Sequence, residues 1–338
     1  MTTLGFFTRL LDDVPPAQRY RYASEQIRHA ESHGYATAWV AQHHFHGAEG
    51  GLPSPLVFLG HVAAQTSTIR LGTGVICLPM EDAVRTAEDV AVADLLSGGR
   101  LEVGISTGGT PSSFGAFGVD FADRYELSAT KLATLLAAWR GEPINGTANR
   151  LYPSAGTLPE RVWQATFSAS GGERAGRAGD GLMLSRTQPR PEGRFDATLA
   201  DLQLPIIESY RAALPVGVRP RVLTSRTVFV ADTTQQAYRW AEAGLRRAVA
   251  TSGTFGKRVS ADAEVDDLIR LTDSFVGSPA QVAEALAADA TLQEATELSV
   301  QVHSIDPPHA QILRSVELIG EHVAPALGLG THPERSAA

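Results

Sequence analysis

Ala38-Trp39-Val40-Ala41-Gln42-His43-His44-Phe45-His46 begins as a buried strand and ends in polar side chains. Ala38 to Ala41 form a short apolar run after the turn-prone Gly34, and four of the next five residues are polar. A sheet interior rejects such polarity unless each group finds a partner. The C-terminal end of a parallel strand opens on a cleft instead, and α/β enzymes place their chemistry there. Successive strand residues point to opposite faces. His43 and His44 therefore cannot both look into one site, and at most one of them is catalytic.

Working outward from this strand, apolar runs alternate with helix-period segments. Strands are expected at Leu4–Phe7, Ala36–Ala41, Ile69–Leu78, Arg100–Ser106, Val162–Phe167, Gly181–Leu184, Val222–Val230 and Leu298–His303. Between them run helices such as 17–33, with Tyr20, Ala23, Ile27 and Ala30 spaced three and four apart. Ser54-Pro55 and Ser278-Pro279-Ala280-Gln281 read as helix starts, the second with a capping-box glutamine. Eight βα units is the number that closes a (β/α)₈ TIM barrel. A doubly wound sheet would carry a glycine-rich turn after its first strand, and here that turn reads Thr8-Arg9-Leu10-Leu11. The barrel is the preferred fold: one domain over 1–330 with loop insertions, and a frayed tail over 331–338. The stretches 141–160 and 251–277 interrupt the pattern. The second, carrying Gly253, Gly256 and a charged middle, is read as an active-site lid.

Composition bounds the answer further. The 338 residues are 43% hydrophobic and 20% charged, ordinary for a globular chain, with a formal charge of −8. Cys77 is the single cysteine, so intrachain disulfides and cysteine-based zinc sites are excluded. No basic cluster of nucleic-acid type occurs. No signal-peptide layout and no apolar run of bilayer-spanning length occurs either. A cytoplasmic protein is expected.

The strand ends should gather Gln42-His43-His44, Gly72-Thr73-Gly74-Val75, Ser106-Thr107-Gly108-Gly109, Ser168-Ala169-Ser170-Gly171-Gly172 and Ser185-Arg186-Thr187 on one face. These are hydroxyls, glycines, histidines and an arginine, with no carboxylate cluster. Backbone N–H groups at a Ser/Gly-rich helix start suit a phosphate, and 168–172 is the best such stretch. Ser-Gly-Gly is also a common helix cap. Trp39 and Trp163 read as core, His44 as a hydrogen-bonded supporting residue, and His46 and His61 as loop groups. Asp94 and Arg100 are placed to bridge one turn, Arg186 could pair with a nearby carboxylate, and 262–267 reads as a solvated acidic face.

Four segments together resemble the bacterial luciferase-like flavin monooxygenases: Ala-Trp-Val-Ala-Gln-His-His-Phe, Ile-Arg-Leu-Gly-Thr-Gly-Val-Ile-Cys-Leu-Pro, Arg-Thr-Ala-Glu-Asp-Val-Ala-Val-Ala-Asp-Leu-Leu-Ser-Gly-Gly-Arg-Leu and Phe-Val-Gly-Ser-Pro. The order and spacing hold from residue 4 to about 326. The resemblance is greatest to a subgroup of FMN-dependent members with mostly undefined substrates. It implies a (β/α)₈ barrel binding reduced FMN supplied by a separate reductase. O₂ would add at flavin C4a, giving a C4a-peroxyflavin that oxidises a small organic substrate. It also implies a homodimer. The catalytic histidine of the family maps to His43, and the residues implied for the flavin are Gly74, Val75, Ser106, Thr107, Gly108, Ser168, Gly171, Gly172 and Arg186. The family often has a non-prolyl cis peptide where Gly74–Val75 stands.

Three positions depart from the family pattern. Gln42 replaces a glutamate, which should make the neighbouring imidazolium less stable. Thr107 replaces a phosphate-binding arginine, and Phe167 replaces an acid. Lys257 and Arg258, in the expected lid, could make up for the arginine. Two alternatives share the fold: an oxidoreductase using the deazaflavin F420 for hydride transfer without O₂, and a flavin-binding protein with little turnover. A metal-dependent hydrolase fits poorly, because the first strand lacks His-x-His and the strand ends supply too few carboxylates.

Overall fold

In a computed structural model of the chain, residues 1–251, 262–302 and 307–330 are described. The strands are β1 Thr3–Thr8, β2 Thr37–Val40, β3 Arg70–Cys77, β4 Leu101–Ser106, β5 Val162–Ala165, β6 Gly181–Leu184, β7 Val222–Val230, β8 Ser274–Gly277 and β9 Glu297–Gln301. Eight of them close a parallel barrel in the order β1-β2-β3-β4-β5-β6-β7-β9 and back to β1. The expected TIM barrel is therefore present. Its strands are buried on both faces, which is why β2 and β6 read as short apolar runs, while β7 and β9 bury polar side chains as well.

The ninth strand is a departure from the sequence reading. The first half of β7 belongs to the barrel, pairing with β9 from Leu223↔Glu297 to Thr227↔Gln301. Its second half leaves the barrel and pairs with β8, from Thr227↔Ser274 to Val230↔Gly277. Within the stretch read as an irregular lid, 262–277 thus holds a helix, Val265–Leu271, and a strand. Leu268 and Val276 anchor them in the main core. The rest of that expectation, with Lys257 and Arg258, lies outside the described residues, as does the tail 331–338.

Helices ring the barrel, and local sequence starts them. Pro55 opens Pro55–Ala63, and the Asp82 carboxylate accepts the Arg85 N–H to cap Ala83–Leu96. Capping boxes begin Leu199–Ala213 (Thr198, Asp201) and Pro279–Ala287 (Ser278, Gln281). The main core lies between barrel and helices. Phe6, Val40, Leu71, Val103, Val228 and Val300 face Ile27, Leu59, Val90, Leu135 and Ile312 across it. Asp94 does not bridge Arg100. Arg161, 67 residues away, takes its carboxylate with 2.7 Å contacts, and Arg100 instead donates to backbone carbonyls at Ile69, Ala63 and Thr66.

Inside the barrel the lower layers form a closed floor. The Trp39 and Trp163 rings meet edge to face at 5.6 Å, packed with Met183 and Leu223. Trp39 Nε1 donates to Glu297 Oε1 and Trp163 Nε1 to Glu102 Oε2, each at 2.7 Å. Arg70 holds the other Glu102 oxygen at 2.6 Å, and Thr37 donates to Glu297. Two glycines make room for the rings. A Cβ on Gly72 or Gly181 would lie 2.2 Å from the Trp39 or Trp163 ring. Burial, with the field of Glu102 added, pushes the Glu297 carboxyl up to about 7.

Candidate active site at the barrel mouth

The C-terminal ends of the strands gather most of the expected residues. Strand alternation directs Phe7, Arg9, Ala41 and His43 inward, above the floor. Phe7, Val75 and Ala165 are half-buried and pack on the tryptophan cluster, forming an apolar shelf. Gly74–Val75 is a cis peptide, as expected, and a Cβ on Gly74 would lie 3.1 Å from Phe7.

His43 faces the shelf from the β2 side. Its backbone N–H donates to Leu52 O at 2.9 Å, and its ring packs where a Cβ on Gly50 would fall. Burial first, and then the Arg9 charge, lower its pKa to about 4, so the imidazole is neutral at physiological pH. The nearest carboxylate, Glu49, is 3.9 Å from Nδ1 and opposes that shift. Gln42 contributes differently from the expectation. Its carbonyl accepts the Cys77 N–H at 2.7 Å and its amide donates to Glu81 at 2.6 Å, so it braces the end of β3. His44 turns away from His43, edge-on to Phe117 at 4.8 Å, and its Nε2 is buried with no hydrogen-bond partner among the described residues.

Next to the shelf, the ends of β4 and β5 present donors for an anion. Ser106, Thr107, Tyr125, Gln164, Ala165 and Arg174 line a cavity of about 60 Å³. Ser168 caps the helix Ala169–Ala178, accepting the Gly171 N–H at 3.2 Å. The N–H groups of Ala169 and Ser170, at the unpaired start of that helix, remain open to a ligand. The glycines sort differently. Gly108 forms a left-handed turn at φ +81°, packed on Cys77 and Phe114, and its N–H is taken by Ser106 Oγ. At Gly171, a Cβ would fall 1.9 Å from Thr166 Oγ1. Gly172 faces the helix Leu199–Ala213, where a Cβ would meet Ile206 O at 2.5 Å. Its own N–H bonds Ser168 O. The structure gives Gly172 a packing role and sets it apart from the mouth.

The opposite side of the mouth is cationic. Arg186 lies within the field of Arg9 and His43, and burial with the Arg9 charge lowers its pKa to about 9. The nearest acid in its field, Asp273, is held by Arg190 at 2.7 Å. A wider cleft of about 940 Å³ opens on the flank between 195–200, 263–275 and 285–290. Neither the histidine nor the shelf residues line it.

This barrel, with its mouth residues in place, matches known proteins along most of its length. Residues 3–295 match the family model described as luciferase-like monooxygenase. The chain belongs to the luciferase-like monooxygenase family. A 4-hydroxyprotoasukamycin monooxygenase of Streptomyces nodosus subsp. asukaensis is 30% identical over 313 residues, 86% of this chain and 82% of that one. An uncharacterized protein of Sinorhizobium fredii is 34% identical over 173 residues, and the match spans 49% of each chain. Among solved structures, the oxygenating constituent of 3,6-diketocamphane monooxygenase from Pseudomonas putida, in complex with FMN, superposes with TM-score 0.79 at 20% identity. The match covers 98% of this chain and 100% of that one. An F420-dependent tetrahydromethanopterin reductase from Methanopyrus kandleri gives 0.71 at 18% identity, covering 96% and 99%. These two likenesses concern the fold.

Family membership carries a general monooxygenase function, with O₂ and a small molecule as reactants. Among the described residues of this luciferase-like monooxygenase, no helix is long and apolar enough to cross a membrane. Two of its mouth residues escaped the sequence reading. Arg174 donates to Gln164 Oε1 at 3.1 Å and reaches the cavity beside Thr107. Arg9 was noticed only as part of a turn without glycine. Its position two residues beyond the inward Phe7 is the signal that could have found it.

Proposed function

We propose that the chain is a flavin-dependent monooxygenase that uses reduced FMN and O₂ to oxidise a small organic substrate. The observation that carries this reading is the division of the mouth: an apolar shelf beside an arc of anion donors, with a neutral histidine facing the shelf. Bound there, reduced FMN would supply the electrons that activate O₂. Phe7, Val75 and Ala165 would carry the flavin ring, and Gly74 would allow its close approach. Ser106, Thr107, Ser168, the Ala169 and Ser170 N–H groups and Arg174 would hold the phosphate. Arg174 would thus supply the charge missing at Thr107. His43, lowered to about 4, would act as a hydrogen-bond partner or proton acceptor toward the reacting oxygen. The sealed tryptophan floor would keep water from entering below.

Reduced FMN would come from a separate reductase in the cytoplasm. A homodimer is supported by Val57, Val92, Leu95 and Leu96, which are exposed on the adjoining helices Pro55–Ala63 and Ala83–Leu96.

Anaerobic titration with reduced FMN, reduced riboflavin and reduced F420, followed by O₂, tests the reading. Reduced FMN is expected to bind best and to consume O₂ on mixing. Tighter binding of F420 without O₂ consumption would select hydride transfer instead, and binding without turnover would select a flavin carrier. Arg174→Gln should weaken FMN roughly 10- to 100-fold, the usual loss of a charged hydrogen bond, and leave riboflavin unchanged. Equal weakening of both flavins would remove Arg174 from the phosphate.

A further inference from the structure

Around the barrel, β6, β7, β9, β1 and β2 are consecutive. Their ends form a sector of the mouth across from the proposed phosphate donors of β4 and β5, and Phe7 of the shelf borders it. This sector holds Arg186, Thr227, Gln301, Arg9 and His43, with Ser225 and Ser299 one layer below in register. Its two arginines are poorly supplied with acceptors among the described residues. Arg9 Nε is sealed from water with no partner among the described residues, and Nη1 reaches the backbone carbonyl of Glu49 at 3.2 Å. Among the described residues, the hydrogen bond of Arg186 is long, 3.5 Å from Nη1 to Thr227 Oγ1. The buried Ser225 and Ser299 hydroxyls also have no hydrogen-bond partner among the described residues.

Among the described residues, no carboxylate lies within ion-pair distance of either guanidinium. Asp273 belongs to Arg190, and the exposed Glu49 side chain bonds Thr110. Two cations at such close quarters, largely removed from water, are costly unless an anion joins them. Planar guanidiniums match the oxygens of a carboxylate or sulfonate in pairs.

We propose that Arg9 and Arg186 form the subsite for an anionic group on the substrate, so that the enzyme acts on small organic acids. The proposal rests on the monooxygenase reading for the reaction that follows, and on the chain alone for binding. His43, between the two cations and the shelf, would then face the substrate carbon nearest that group. Binding an anion also cancels the field that disfavours imidazolium, so the His43 ring should titrate at higher pH in the complex.

The experiment uses the full chain at low salt with benzoate, methanesulfonate and the neutral benzamide, each with and without saturating FMN. Binding is read by calorimetry and by the imidazole resonances. Both acids are expected to bind and to move the His43 resonance, while benzamide does not. Arg9→Gln or Arg186→Gln should weaken the acids roughly 10- to 100-fold, and Arg186→Lys should recover part of the loss. Arg186→Met should raise the melting temperature of the ligand-free protein and abolish the further rise that benzoate gives. Folding failure of the glutamine variants therefore leaves the methionine and lysine arms decisive.

The proposal is overturned if neither acid binds, if benzamide binds as well as benzoate, or if all variants bind the acids alike. Competition between the acids and FMN would assign the pair to the flavin's own anionic ring and overturn it too. Acids that bind through both arginines to a protein that takes no flavin would leave the subsite standing and remove the monooxygenase reading.

Discussion

At the floor of the barrel, Glu102 and Glu297 each accept an indole N–H, and Arg70 closes on Glu102. At the mouth, Arg9 and Arg186 share a field with His43 and have no carboxylate in contact among the described residues. The two regions are layers of the same eight strands. The floor spends its polar groups on one another and locks two large rings into one arrangement, as a fully satisfied buried network does. The mouth leaves its charges waiting, which lowers stability where a ligand can restore it. Satisfied and unsatisfied buried charge thus separate the part of the barrel that holds shape from the part proposed to meet substrate.

Substitutions can break this division. The largest effect is expected at His43. His43→Ala should lower turnover by roughly 10²–10⁴-fold, the range for acid–base assistance, with flavin binding and the denaturation midpoint retained. A matching loss of stability would make the mouth a second structural floor.

Next is Trp163→Ala, which should cost about 3–5 kcal/mol of stability in urea unfolding. It removes a ring packed on Gly181 and a donor to Glu102. Unchanged stability would show that the floor is no such lock.

The smallest effect sharpens the comparison through pH. Glu297 is raised from 4.5 to about 7, so the folded state binds the proton more tightly. Its contribution is full below pH 4.5 and declines as pH rises to 7. His43 is lowered from 6.5 to about 4, so its contribution is full above pH 6.5 and declines as pH falls toward 4. Between those limits floor and mouth oppose each other. Glu297→Gln should remove the loss on the alkaline side and His43→Gln the loss on the acid side, in midpoints measured from pH 4 to 8. Slopes of the same sign in both variants would refute the contrast.

The barrel was legible because short, largely apolar runs alternate with helix-period segments eight times; Gly181–Leu184 and Val222–Val230 are bounded as the pattern reads. β8 was not, since Phe275 and Val276 are too short a run to tell from a loop, and the pairing partner lies 47 residues upstream in β7. The same distance effect hid Arg161 as the partner of Asp94. At the mouth, His43 could be read from alternation beyond β2, and the separate direction of His44 with it. Arg174 could not. It shares a helix with the surface pair Glu173–Arg177 and looks like one more exposed charge. The glycines after Ser168 misled because a tight helix contact and a phosphate turn both call for a missing side chain.

That helix contact has a mechanical consequence. Gly172 and Gly176 stand one turn apart against the backbone of Leu199–Ala213, where a methyl at Gly176 would meet Tyr210 O at 2.2 Å. The two helices therefore rest backbone on backbone, like a shelf bracket with no shim. A single added carbon at either glycine would tip Ala169–Ala178 and carry the N–H groups of its first turn, with Arg174, away from the strand ends. Position 174, being exposed, can change its charge without tipping anything. On the proposed site, cofactor affinity would drift by substitution at 174 while the helix that carries it is held by two glycines packed against a neighbouring backbone.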